Sequence, residues 1–193
     1  VLFCSVVPAI YKKIKKILKD KFHLNCMELK ELNLKKIINI NVNKKQIGSD
    51  RLSNAISVND NKNNYIIVDF GTATTFDVVI KNNYLGGIIS PGVNLSLNTL
   101  VSKASMIPKI KLKSISKVLG KNTLEAVRSG FYWGYLGLIE SMIRKISKKT
   151  KKKYKIIFTG GLSHLFKKTI SFKIYINRNL TINGLLKVVQ LIK

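Results

Sequence analysis

At 193 residues the chain is long enough for one generous core or two small lobes, and 46% hydrophobic residues with a mean hydropathy of +0.09 exclude a disordered polypeptide. Thirty-five Lys and Arg against nine Asp and Glu give a formal charge of +26, but Lys, Asn and Ile rise together in every segment. The charge therefore reads as solvated surface and argues against a dedicated nucleic-acid partner.

Val1 to Val7 reads as a buried strand. Pro8 suits the first turn of a helix, in which Ile10, Ile14, Ile17, Leu18 and Phe22 recur at helical spacing against lysines. That face is expected to pack on a sheet, with a membrane surface as the rarer use. Cys4 and Cys26 lack C-x-x-C spacing, so neither a disulfide framework nor a zinc site is expected, and the compartment is expected to be reducing. No apolar run reaches membrane-spanning length, and a cytoplasmic protein is the expectation. Short strands are predicted near Met27 to Leu29 and from Ile37 to Val42. Ile47-Gly48-Ser49-Asp50-Arg51 then leads into a short helix with Leu52, Ala55, Ile56 and Val58 inside.

After a polar turn at Asn59 to Asn64 comes the stretch Ile66 to Ile80, two runs of β-branched and aromatic residues, each ending on a carboxylate and hinged at Gly71. A buried strand does not accommodate Asp69, Thr72, Thr74, Thr75 and Asp77 unless they have hydrogen-bond partners or line a site. Gly71 would let a ligand approach the backbone N–H groups. The stretch reads either as a phosphate cradle or as a plain hairpin whose threonines supply strand propensity.

Tyr84 to Gly92 continues the strands, and Gly86-Gly87 and Pro91-Gly92 mark places where the backbone can come close to a ligand or partner. A helix is predicted from Val93 through Ser105, ended by Met106-Ile107-Pro108. Thr123 could cap a long helix from about Leu124 to Ser147. Its Gly130, Gly134 and Gly137, beside Phe131, Tyr132, Trp133 and Tyr135, imply close packing at a subunit interface or in a crowded core. Tyr154 to Thr159 is a strand that stops at Gly160-Gly161 before a predicted helix start around Leu162 to Phe166, an arrangement suited to nucleotides. Ile174 to Ile176 is a strand, and an apolar helix closes the chain. Alternating strands and helices make the class α/β.

In order along the chain, the motifs are Gly48-Ser49-Asp50-Arg51, Asp69-Phe70-Gly71-Thr72-Ala73-Thr74-Thr75-Phe76-Asp77 and Gly86-Gly87-Ile88-Ile89-Ser90-Pro91-Gly92. Gly120-Lys121-Asn122-Thr123, Ser129-Gly130, Thr159-Gly160-Gly161 and Leu180-Thr181 follow. Together they resemble the type III pantothenate kinases, members of the acetate and sugar kinase, Hsp70 and actin superfamily. The resemblance implies an actin-like, ribonuclease H-like ATPase fold. Residues 1–58 would be the remainder of an N-terminal lobe that is incomplete at its start, and residues 59–193 a complete C-terminal lobe with a long interface helix.

It also implies transfer of the ATP γ-phosphoryl group to the primary hydroxyl of pantothenate, giving 4'-phosphopantothenate, the first step of coenzyme A biosynthesis. By the same match Asp50 would be the general base. Gly48, Ser49, Arg51 and Thr123 would hold pantothenate; Gly71, Thr72 and Thr74 would meet the ATP phosphates; Gly160 and Gly161 would pass under the adenosine. Asp69 would bind a monovalent cation, potassium or ammonium, with magnesium accompanying ATP. A homodimer is implied, with no specific nucleic-acid partner and no membrane. Asn41, Asn43 and Lys44 depart from the family's tyrosine and Asn-Pro pattern, and no D-x-G-N-T loop precedes Ser5-Val6-Val7-Pro8. On that ground the chain is expected to be a fragment, weakly active or inactive alone. The competing expectations are a regulatory Bvg accessory factor-like protein and another sugar or acid kinase of the superfamily.

Overall fold

The computed structural model describes residues 1–192. In chain order the elements are β1 (Leu2–Phe3), α1 (Pro8–Phe22), β2 (Met27–Glu28), a 3-10 turn at Leu29–Glu31, β3 (Asn39–Ile40) and α2 (Ser49–Val58). There follow β4 (Asn64–Phe70), β5 (Ala73–Ile80), β6 (Asn83–Pro91), α3 (Val93–Lys103), α4 (Thr123–Thr150), β7 (Lys155–Gly160), β8 (Ile174–Ile176) and α5 (Leu180–Leu191).

Six strands form one sheet in the order β3-β6-β5-β4-β7-β8, and β1 with β2 forms a separate parallel pair. Neighbouring strands joined by two residues must run antiparallel. That holds for β4 and β5 across Gly71-Thr72, and for β5 and β6 across Lys81-Asn82. β3 lies parallel to β6, and β8 parallel to β7.

The residues group into two compact units, neither contiguous in sequence. The first comprises Val1–Tyr65, Asp77–Gly86 and the chain from Asn179 onward; the second comprises Ile66–Phe76 and Gly87–Arg178. This is a different division from a cut after Val58, because β4, β5 and β6 contribute residues to both units.

In the first unit, Leu29, Leu34, Ile38, Leu52, Ala55, Ile56, Val79, Tyr84 and Val188 are buried. α2 and α5 are held side by side by Ser53 Oγ donating to the Thr181 carbonyl at 2.6 Å and Thr181 Oγ1 donating to Asn54 Oδ1 at 2.8 Å. The N-terminal segment differs from expectation. β1 has two residues rather than seven, and Val1, Val6 and Val7 are exposed. No residue of α1 is buried: Ile10, Ile14, Ile17 and Phe22 are between 38% and 62% exposed. The predicted helix forms as Pro8 and the periodicity require, but the two-stranded β1-β2 pair offers little surface to cover its apolar stripe. Tyr11 against Phe3, with ring centroids 5.4 Å apart, is its aromatic contact.

The second unit is built on an aromatic cluster. Phe70 meets Phe158 edge-on at 5.1 Å and Phe166 at 5.7 Å, and Phe166 stacks on Tyr132 of α4 at 5.5 Å. The helix predicted around Leu162 to Phe166 is instead a run of turns, with Ser163 N bonding Gly160 O and Leu165 N bonding Leu162 O. These bonds span three residues, the tighter pattern that seldom propagates. α4 begins one residue earlier than predicted, and Asn122 rather than Thr123 caps it, its Oδ1 accepting the Glu125 N–H at 2.9 Å. A crowded core does not explain Gly130, Gly134 and Gly137: a Cβ at any of them would meet nothing within 4 Å among the described residues.

Candidate functional site

Asp50 lies in the first turn of α2, where helix N–H groups point outward and favour negative charge. Its Oδ1 accepts the Arg51 backbone N–H at 2.8 Å. Gly48 precedes the helix, and a Cβ there would sit 2.5 Å from the same carboxylate oxygen, so glycine lets the Asp50 side chain fold back over the helix start.

Ser49, between them, points elsewhere. It is 1% exposed, and its hydroxyl donates to the buried Glu28 carboxylate. The other Glu28 oxygen accepts the Lys30 N–H at 2.7 Å, and the Glu28 N–H donates to Glu31 Oε2 at 3.3 Å. The Ser49 hydroxyl, expected at the substrate, is thus committed to a buried carboxylate. A residue without that hydroxyl should therefore be unfavourable in this chain. Ser49→Ala is expected to lose about 1–3 kcal/mol by leaving a buried carboxylate oxygen without its donor. Urea unfolding reads this directly, and a midpoint equal to the parent's would mean that Glu28 does not depend on Ser49.

Arg51 reaches down to the sheet. Its Nε and Nη2 both donate to Asp77 Oδ1, at 2.9 and 2.7 Å, with side-chain exposures of 14% for Arg51 and 0% for Asp77. The Tyr84 hydroxyl donates to the same oxygen at 2.6 Å. Burial pulls the Arg51 pKa down, but the hydrogen bond and charge of Asp77 outweigh it and hold the guanidinium above its ordinary value. Burial, then the Asp77 charge, pushes the Tyr84 phenol well above the usual tyrosine range, so it stays protonated. Asp77 was marked in the sequence as a carboxylate in an apolar run that needs a partner; Tyr84 carried no such signal. Cys4 is near the same carboxylates: burial, then Asp50 and Glu28, pushes its thiol up to about 12, and both cysteines are free.

In the second unit, the end of β4, the Gly71-Thr72 turn and the end of β7 converge. Gly160 has φ of 82°, and a Cβ there would fall 2.6 Å from Asp69 Oδ1 and 2.7 Å from Phe70 N and O. Only glycine takes that backbone conformation without strain and allows so close a crossing. Gly92 donates its N–H to Thr72 O at 3.0 Å, and a Cβ on it would lie 2.2 Å from that oxygen. Asp69, Gly71, Thr72 and Gly160 are therefore brought together. Gly92 joins them; the sequence had marked Pro91-Gly92 as a place of close approach without assigning a role. Gly161 faces open space. Thr74 is not part of this surface: it is fully buried, and its Oγ1 has no hydrogen-bond partner, because alternation along β5 turns it inward. Thr123 is exposed in the first turn of α4, its hydroxyl not used for capping.

The mixed six-stranded sheet, joined by helices along the chain and carrying glycine crossings beside an aspartate, defines an α/β protein. The structure of a conserved Baf family protein from Campylobacter jejuni shares this fold with a TM-score of 0.64, covering 98% of this chain and 81% of that one at 20% sequence identity. The chain belongs to the type III pantothenate kinase family, whose sequence pattern matches residues 1–145. It is 58% identical over 192 residues to the type III pantothenate kinase of Pelagibacter ubique (strain HTCC1062), covering 100% of this chain and 77% of that protein. It is 40% identical over 184 residues to that of Sulfurihydrogenibium sp. (strain YO3AOP1), covering 94% of this chain and 73% of the relative.

Proposed function

We infer that this chain carries the reaction of its family, the ATP-dependent phosphorylation of pantothenate. The observation that supports specific residue roles is Asp50 in the first turn of α2, beside an arginine anchored on a buried carboxylate. In the transfer, the primary hydroxyl oxygen of pantothenate bonds to the γ-phosphorus of ATP, the bond from that phosphorus to the β–γ bridging oxygen breaks, and ADP leaves. Asp50 accepts the hydroxyl proton, and Arg51 and the exposed Thr123 help to hold the acceptor. Gly71, Thr72, Gly160 and Gly161 form the nucleotide-facing backbone: Gly160 lets the chain cross close to Asp69, and the open side of Gly161 leaves room for adenosine.

The Asp69 carboxylate and the Phe70 carbonyl beside Gly160 are hard oxygen donors of the kind a potassium or ammonium ion takes. Among the described residues no group of three or more His, Cys, Asp or Glu could hold a metal, so such a cation would rely on carbonyl and phosphate oxygens around Asp69. Bound there, it would neutralise phosphate charge, while magnesium travels with ATP. The open glycine face of α4 supports a homodimer, since a second copy could pack closely on it. A cytoplasmic setting without nucleic-acid or membrane partners completes the reading; no helix among the described residues is long and apolar enough to cross a membrane.

The test is ADP release that depends on pantothenate in magnesium with potassium or ammonium, accompanied by calorimetric binding of pantothenate, which the site requires at any turnover rate. Release expected with pantothenate should vanish when it is omitted and fall when sodium replaces potassium. Equal release with sugars or small acids would place the chain with another kinase of the superfamily.

A further inference from the structure

We propose that Asp77 and Tyr84 are positioning residues that hold the Arg51 guanidinium in a fixed plane for pantothenate. The proposal rests on the reading of Arg51 as a pantothenate-binding residue.

Asp77 lies on β5 with no exposed surface, where an unpartnered carboxylate would be strongly unfavourable. Three donors converge on one of its oxygens: Arg51 Nε at 2.9 Å, Arg51 Nη2 at 2.7 Å and the Tyr84 hydroxyl at 2.6 Å. Two contacts from one guanidinium fix its plane, which the flexible arginine stem could not do alone. The third, from the neighbouring strand β6, limits rotation of the carboxylate that receives them. The Arg51 head is thereby referred to the floor of the sheet. Two of its five N–H groups serve Asp77, and the remaining donors of the fork can serve a substrate oxygen. Asp50 is the adjacent residue in the same helical turn, so the anchor that places Arg51 also steadies the start of α2 that carries the general base.

A purely structural salt bridge would use the same bonds but would not make pantothenate affinity depend on Tyr84 through Arg51. The chain, Arg51→Lys, Tyr84→Phe, Asp77→Asn and the pairings of the last two with Arg51→Lys are compared by calorimetry with pantothenate and, separately, with ATP. Thermal melts report folding. Tyr84→Phe removes one hydroxyl from a buried ring and should remain folded even if Asp77→Asn does not.

Tyr84→Phe is expected to weaken pantothenate binding by about five- to twentyfold and to leave ATP binding unchanged. In the Arg51→Lys background the same change should weaken it by less than about twofold, the non-additivity expected when one residue acts through another. Full additivity in that background overturns the proposal, as does parent-like pantothenate affinity in folded Tyr84→Phe. Equal losses for pantothenate and ATP would also overturn it, since they report general loosening. Parent-like pantothenate affinity in Arg51→Lys is a separate result that removes Arg51 from the substrate site itself.

Discussion

Asp50→Asn is expected to lower turnover by about a hundred- to ten-thousandfold, the usual contribution of a positioned general base. The substitution is nearly isosteric, and its carbonyl oxygen can still accept the Arg51 N–H that Asp50 Oδ1 accepts at 2.8 Å. The start of α2 should therefore keep its shape, and the loss should fall on kcat with pantothenate affinity within about threefold of the parent, as befits a group that acts mainly in the transition state. Steady-state ADP release beside calorimetric binding separates the two. Turnover within a factor of about three would remove Asp50 from the proton transfer, and a large loss of affinity without a loss of kcat would make it a binding group.

Gly184→Ala is expected to destabilise the first unit by about 3 kcal/mol or more, at the upper end of overpacking effects. A Cβ at this position on α5 would lie 2.0 Å from the Ser53 carbonyl oxygen and 2.5 Å from Ser53 Oγ on α2. The nearest atom belongs to helix backbone, which cannot swing aside as a side chain can. Relief requires the helices to part, and that would break the bonds from Ser53 to Thr181 and from Thr181 to Asn54. On helix propensity alone the same change would stabilise by about 1 kcal/mol, so chemical unfolding decides between opposite signs. A more stable Gly184→Ala variant would refute the close approach of the two helices.

Local chemistry accounts for what could be read early. Pro8 and the isoleucine periodicity predicted α1, the hydroxyl-rich run hinged at Gly71 predicted the β4-β5 hairpin, and the spacing of Leu52, Ala55, Ile56 and Val58 predicted α2; all three are present, α2 beginning three residues earlier, at Ser49. Each signal depends on residues within a few positions of one another, where turn conformation and side-chain spacing are set by the chain itself. The motifs also carried the family. Asp77 could be recognised as needing a partner, because a carboxylate in a β-branched run is unfavourable without one.

Which partner it found depends on which strands and helices adjoin. Arg51 and Tyr84 meet Asp77 from α2 and β6, Ser49 turns to Glu28 across 21 residues, and Gly184 meets Ser53 from the far end of the chain. Thr74 and Thr72 differ in exposure because strand alternation places one inward, and Asn122 takes the α4 cap that Thr123 could equally have supplied. The apolar stripe of α1 is written in the sequence, yet its exposure follows from the narrow β1-β2 pair beside it. The sequence by itself determined the class, the family and the places where the backbone bends or begins a helix, since these are local preferences. The tertiary structure alone decided which polar groups satisfy one another and which glycines are irreplaceable, since those follow from contacts between segments distant in the chain.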